Sequence, residues 1–95
     1  MLVNLIKEYG SKEKPVRGNV LASLLGVSKP SIRIEVNKLR REGVPICSNR
    51  EGYYYSTKPE DIKETIAHLE SRTRNIREAI DGIRGGLQIE ESKSL

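Results

Sequence analysis

The chain is short and basic: it has 95 residues, with 17 lysines and arginines against 13 aspartates and glutamates, one cysteine, no phenylalanine and no tryptophan. This length accommodates one domain with a modest core and at most an appendage, and a single cysteine excludes a disulfide framework and fits a reducing compartment. Residues 1–58 carry a net charge of +6 and residues 59–95 carry −2. This asymmetry is typical of a basic domain that contacts phosphate groups, followed by a C-terminal segment with a different role. Since no apolar run approaches the ~18 residues of a membrane span and no signal-peptide pattern occurs, we expect a cytoplasmic protein that does not enter a membrane.

The first half of the chain predicts three helices. The first helix begins at Leu2 and is ended by Gly10, and a short strand is expected around Val16. The second helix begins near Gly18, and the third runs over residues 29–42 with a glycine directly after it as the C-terminal stop.

The connection between the second and third helices has the spacing of a DNA-binding helix-turn-helix, over residues 19–39. Ala22 is small enough for two helices to approach each other, and Gly26 can take the positive φ of a tight turn. Val27 is expected to fill the corner, and Ser28 is a good N-cap for the third helix. Because all of these residues occur at the spacing of the motif, they favour a helix pair that binds nucleic acid over a helix pair with only a structural role.

The third helix has two faces of different character. Its core side is predicted from apolar residues at spacings of four and three, namely Ile32, Val36 and Leu39. On the opposite side, Asn37 suits adenine and Ile34 suits a thymine methyl group, and on the flank Arg33 suits two hydrogen bonds to guanine. Lys29 and Ser31 lie near the helix N-terminus, where free backbone N–H groups favour phosphate. With the hairpin residue discussed below, the predicted DNA-binding residues are Ser28, Lys29, Pro30, Ser31, Arg33, Ile34, Asn37, Lys38, Arg41 and Arg50.

Other interpretations of the same side chains stay open. Lys38, Arg40 and Arg41 are placed for the DNA backbone, but they can equally be solvated charges that complement the helix dipole. Ile34 can instead pack against a neighbouring subunit.

A β-hairpin is predicted next, from two β-prone runs at residues 44–48 and 53–56 that a polar turn joins. Alternation places Tyr54, the middle one of three consecutive tyrosines, on the outer side and the other two on the core side. Arg50 in the turn is expected to reach the adjacent minor groove or its phosphates.

A final helix is predicted from Pro59, with acidic side chains in its first turn. Its apolar positions recur at alternating spacings of four and three, which is the heptad pattern of a coiled coil. The predicted oligomerisation residues are Ile62, Ile66, Leu69, Thr73, Ile76, Ile80 and Ile83. We expect a homodimer or higher homo-oligomer through this helix, the alternative being a helix folded back on the body. The glycines at 82, 85 and 86 predict that it ends near residue 87.

The heptad pattern leaves the orientation of the pairing open. A parallel pair would bring Arg72 close to Arg77 of its partner, which is repulsive, whereas an antiparallel pair would bring Glu70 close to Arg77. Isoleucine at both apolar positions of the heptad, which form the seam between paired helices, also favours three or four strands.

Helix, helix, helix and hairpin follow one another as in a winged helix, and residues 2–57 resemble the N-terminal winged-helix domain of the biotin repressor, of the helix-turn-helix type 11 family. The resemblance is carried by Leu21, Leu24, Leu25-Gly26-Val27-Ser28, Ile32, Val36, Leu39, Gly43-Val44 and Gly52-Tyr53. It implies a winged helix-turn-helix that binds double-stranded DNA. The chain departs from the family in two ways: we expect no ligase or biotin-binding domain, and a long helix follows the hairpin.

We therefore expect a mainly α fold with a small β-hairpin, of the α+β class. Residues 1–57 would form a winged helix-turn-helix domain, residues 58–87 an oligomerisation helix, and residues 88–95 a flexible tail. The expected function is that of a sequence-specific transcriptional regulator, a repressor of bacterial or phage type, whose partner is double-stranded DNA.

Enzymatic activity is not expected, because the lone His68 and the lone Cys47 form no convincing nucleophile–base pair. No metal-ligand cluster or phosphate-binding glycine loop is found either, so no metal, cofactor or small-molecule ligand is expected. Two other functions remain open: a replication or recombination accessory protein that binds DNA architecturally, and a protein–protein interaction module that uses the winged helix and the coiled coil.

Overall fold

The computed structural model describes the backbone of residues 1–94 and the side chains of residues 1–87. Its elements are, in order, α1 (Leu2–Tyr9), α2 (Gly18–Leu25), α3 (Lys29–Arg41), β1 (Ile46–Asn49), β2 (Gly52–Tyr55) and α4 (Pro59–Ser94). The two strands form one antiparallel sheet, which confirms the expectation of a mainly helical α+β chain with a small hairpin. The chain divides into two compact units, Met1–Thr65 and the residues from Ile66 onward.

The hydrophobic core of Met1–Thr65 lies between the first three helices and one face of the hairpin. Its buried members are Leu2, Ile6, Val16, Leu21, Ala22, Ile32, Val36 and Ile46. The predicted core side of α3 is confirmed, because Ile32 and Val36 are buried and Leu39 packs against them. Each large aliphatic side chain removed from water contributes about 1.5–3 kcal/mol to folding.

The corner between α2 and α3 forms largely as its residues predict. Gly26 adopts the left-handed conformation, with φ 65° and ψ 34°, and its N–H donates to the carbonyls of Ala22 and Ser23. Ser28 caps α3 by accepting a hydrogen bond from the N–H of Ser31 at 3.3 Å. The prediction for Val27 is wrong: its side chain is 44% exposed. Backbone hydrogen bonds close this corner, including one from the Val27 N–H to the Ala22 carbonyl at 3.0 Å, so no side chain is required to fill it.

A third strand-like segment joins the hairpin at Val16, as predicted. Val16 and Tyr53 form an antiparallel bridge, in which each N–H donates to the other residue's carbonyl at 2.8–2.9 Å. The hairpin turn is stabilised by the Asn49 side chain, whose Oδ1 accepts the N–H of Glu51 at 2.8 Å.

The prediction for Tyr54 is wrong, because this side chain is only 2% exposed. It pairs across the hairpin with Cys47, which is also buried. Tyr53 and Tyr55 pack against the core on the other face, so both faces of the hairpin are covered. The first turns of α4 lie over the Tyr54 face, where Thr65 Oγ1 accepts the N–H of Ser48 at 3.3 Å. Burial raises the pKa of Tyr54 above its ordinary value.

A buried carboxylate connects α4 to two other segments. Asp61 is 4% exposed, and its two oxygens accept hydrogen bonds from Lys12 Nζ at 2.8 Å and Ser56 Oγ at 2.7 Å. The hydrogen bond from Lys12, followed by that from Ser56, holds the pKa of Asp61 below its ordinary 3.8. The same contact raises the pKa of Lys12, so the pair stays ionised over a wide pH range.

Acid is expected to weaken the fold through Asp61. Since the folded-state pKa of this group lies below 3.8, its contribution is complete above that value and is lost as the pH falls through the folded-state pKa. Urea unfolding between about pH 3 and pH 6 should show stability that falls toward acid, with a shallower fall in Asp61→Asn. Glu60→Gln, one residue away and exposed, is the matched control and should keep the slope of the unmodified protein. An Asp61→Asn slope equal to that of the control would contradict this role.

The last helix is longer than its glycines predict. α4 begins at Pro59 with acidic residues in its first turn, as expected, and continues through Gly85 and Gly86 to Ser94. A helical glycine costs about 1 kcal/mol relative to alanine, which weakens a helix without ending it. The side chains of the predicted tail, 88–95, lie outside the described residues. No helix in the described part of the chain combines the length and apolarity that a membrane span requires.

Candidate nucleic-acid interface

The outer face of α3 presents the predicted DNA-binding side chains together. Residues at spacings of four, three and four fall on one stripe of a helix, and here the exposed stripe consists of Pro30, Ile34, Asn37 and Arg41. Ile34 is 68% exposed, and it is the one large aliphatic side chain of this stripe. Lys38 is also exposed and lies beside this stripe.

Arg40 on α3 is held by the hairpin. Its Nε donates to the Ile46 carbonyl at 2.8 Å, and its Nη2 donates to Ser48 Oγ at 3.1 Å. The guanidinium therefore connects α3 to β1, so the alternative of a merely solvated charge is wrong for Arg40.

The contacts of Arg40 show which flank of α3 adjoins the hairpin. At 100° per residue, Lys29 and Arg33 lie within about 40° of Arg40 around the helix. Both side chains are exposed. The flank beside the hairpin therefore carries two further cations.

The N-terminus of α3 has fewer free donors than the sequence predicts. The N–H of Ser31 is used by Ser28 Oγ, and the two hydroxyls are 2.8 Å apart and hydrogen-bonded to each other. Pro30 has no N–H, and that of Ile32 donates to the Ser28 carbonyl at 3.3 Å. Of the first turn, only the N–H of Lys29 remains for an anion, together with one hydroxyl hydrogen of the serine pair.

Lys29 also lies close to the start of α2. A methyl group at Gly18 would come within 3.7 Å of both Lys29 Cε and the Tyr53 ring. Arg17, the exposed N-cap residue of α2, directly precedes this point. Arg17 is not among the predicted DNA-binding residues, and the signal that identifies it is a cation at the start of α2, the first helix of the pair.

Comparison with known protein families, curated proteins and solved structures finds no match. The geometry of the chain itself therefore carries the functional argument.

The predicted DNA-binding cations of α3 and the hairpin turn form no ion pair with a neighbouring carboxylate among residues 1–87. Lys12 forms ion pairs with Asp61 and with Glu64, at 2.8 and 3.9 Å. The predicted DNA-binding lysines and arginines are all exposed and form no ion pair with a described side chain. They are Lys29, Arg33, Lys38, Arg41 and Arg50. Because their charge is uncompensated, this surface attracts anions.

Arg50 belongs to a different element from the other predicted residues. It lies in the exposed turn between β1 and β2, whereas the remaining nine residues are on α3 or its N-cap. Neither Arg50 nor its neighbour Glu51 needs a positive φ, so the turn can carry an arginine at its tip without strain.

Proposed function

We propose that this chain is a sequence-specific double-stranded DNA-binding regulator of the winged helix-turn-helix type, whose α3 reads the major groove. The observation that carries the proposal is the composition of the exposed α3 face, where Ile34 and Asn37 lie among uncompensated cations. An apolar group and an amide on a basic helix face suit base edges, because the isoleucine can contact a thymine methyl group and the amide can pair with adenine.

The surrounding elements support the same proposal. α2 and α3 meet at the tight turn of Gly26, in the manner of a helix-turn-helix. The hairpin follows α3 directly, and the Val16 bridge supplies the third strand-like segment of a winged helix. In this arrangement the hairpin is the wing, and Arg50 at its tip reaches toward the adjacent groove or its phosphates.

The contacts divide by chemistry into two classes. Arg33 carries two donors side by side, and Asn37 carries one donor group and one acceptor, and such pairs distinguish bases. Lys29, Lys38 and Arg41 supply charge that phosphates attract regardless of sequence. Such a protein acts as a repressor by occupying a promoter. Its affinity for DNA falls as the salt concentration rises, because salt cations compete with its side chains for the phosphates.

Lys29→Ala is expected to weaken binding to all duplexes alike. Lys29 contributes one charge next to the N-terminus of α3, so its removal should reduce the slope of log K against log salt by about one. The measurement is a titration of a selected and a random duplex at several salt concentrations. Lys14→Ala, which removes the same charge from an exposed loop, is the matched control and should keep the slope. A loss confined to the selected duplex would contradict a phosphate contact at Lys29.

Selection from a random duplex library at two salt concentrations tests the function as a whole. A recovered sequence motif whose binding is salt-sensitive would support a specific regulator. Salt-sensitive binding without a motif would favour an architectural role in replication or recombination, and absence of binding would favour a protein–protein interaction module.

A further inference from the structure

The part of α4 beyond Thr65 carries a row of aliphatic side chains at heptad spacing, most of them exposed, which Thr73 interrupts. Within 66–87, the exposed members at heptad seam positions are Ile66, Ile76, Ile80, Ile83 and Leu87. The exposed fractions reach 60% at Ile76 and 77% at Ile83. A single isoleucine in solvent is ordinary, but a row that repeats every three or four residues is the surface of a helix that pairs with another.

The one polar residue of the seam is compatible with burial. Thr73 Oγ1 donates a hydrogen bond to the Leu69 carbonyl of its own helix at 3.0 Å. The hydroxyl donor is therefore already satisfied, and covering Thr73 with a second helix leaves no donor without a partner.

The charges beside the seam distinguish the possible orientations. In a parallel pair, Arg72 approaches Arg77 of the second copy twice, and no opposite-charge pair forms. In an antiparallel pair that sets Ile66 against Ile83, Glu70 of each chain approaches Arg77 of the other. Glu70 and Arg77 are both exposed and form no ion pair with a described side chain, so both are available.

The same antiparallel register has one unfavourable contact. Lys63 comes near Arg84 of the second copy at the two ends of the coil, where the ends are open to solvent and salt screens the repulsion. The two Glu70–Arg77 pairs lie nearer the centre, on either side of the layers in which Thr73 meets Ile76.

We infer that residues 66–83 bind a second copy of this chain as an antiparallel two-stranded coiled coil, with Glu70 of each chain paired to Arg77 of the other. This pairing is independent of whether α3 binds DNA. A second copy of the chain covers the exposed seam, and the charged side chains beside the seam determine that the two helices run antiparallel.

Arg77→Glu tests the inference, because its effect has opposite signs in the two orientations. In the antiparallel pair, the substitution sets two glutamates against each other twice, and dimerisation should weaken by about tenfold or more. In a parallel pair it would replace Arg72–Arg77 repulsion by attraction and tighten the dimer. The measurement is sedimentation equilibrium of the full chain at low and at high salt.

Three further variants complete the design. The charge exchange Glu70→Arg with Arg77→Glu should restore the affinity of the unmodified dimer. Arg74→Glu makes the same charge change at an outer heptad position and should leave the dimer intact, whereas Ile76→Asp should give a monomer. A tighter Arg77→Glu dimer, a trimer or tetramer, or an unmodified chain that stays monomeric would each overturn the inference, the last by leaving the seam to a different protein. None of these outcomes bears on the α3 titrations, so failure of the pairing and failure of DNA binding are distinguishable.

Discussion

Replacing Gly52 with alanine is expected to lower the free energy of unfolding by about 3–4 kcal/mol, through a forbidden conformation and a backbone clash. Gly52 has φ 155°, which side-chain-bearing residues rarely adopt. A Cβ here would press against the Val16 carbonyl oxygen and lie 2.6 Å from its carbon and 3.0 Å from the nitrogen of Arg17. These are backbone atoms, and moving them breaks the Val16–Tyr53 bridge. Chemical denaturation measures the loss.

Gly43→Ala is the control that separates the two causes. Gly43 also has a positive φ, 91°, but a Cβ there meets nothing within 4 Å. This variant should therefore lose only the conformational term, about 1–2 kcal/mol. Equal losses in the two variants would show that the close approach of Gly52 to Val16 contributes nothing.

Arg33→Ala is expected to weaken binding to the selected duplex by about 1–3 kcal/mol and to change binding to random DNA little. The reason is that a guanidinium reading guanine makes two hydrogen bonds whose geometry only the correct base satisfies. Arg33 is exposed and forms no ion pair with a described side chain, so its donors are free for this contact. Fluorescence anisotropy with both duplexes at one salt concentration measures the difference.

The sequence preference of Arg33→Ala is a second, independent test of this prediction. A repeated selection with Arg33→Ala should recover the motif with one position relaxed. Arg74→Ala removes the same charge from α4 and should leave the motif and the affinity unchanged. Equal losses of Arg33→Ala on selected and random DNA would instead assign this residue to phosphate.

Local signals were sufficient to predict most of Met1–Thr65 from sequence. Glycines mark the ends of α1 and α2, Ser28 caps α3, and the spacing of Ile32 and Val36 identifies its buried side. Each of these signals acts within a few residues, because hydrogen-bonded turns and helix faces are local features. The exposed face of α3 follows from the buried one by elimination.

The errors arise where contacts connect distant parts of the chain. The alternation of side chains along β2 correctly places Tyr54 on the opposite face of the hairpin from Tyr53 and Tyr55. It does not predict that α4 covers the Tyr54 face. Asp61 has the position of a first-turn acid that complements a helix dipole, yet its partner Lys12 is 49 residues away. Nothing in the local sequence distinguishes Arg40 from Arg33. Only the position of the hairpin, whose Ile46 carbonyl and Ser48 hydroxyl accept from Arg40, identifies Arg40 as the structural arginine.

The covered outer face of the hairpin determines where the chain can be divided. A fragment that stops at residue 57 would lack both Asp61 and Thr65, and it would open Tyr54 and Cys47 to water. A fragment that continues through Thr65 keeps these contacts and leaves out the exposed seam beyond it. The smallest fragment that keeps both faces of the hairpin covered therefore includes the first two turns of the last helix, and the boundary between the two compact units lies inside that helix.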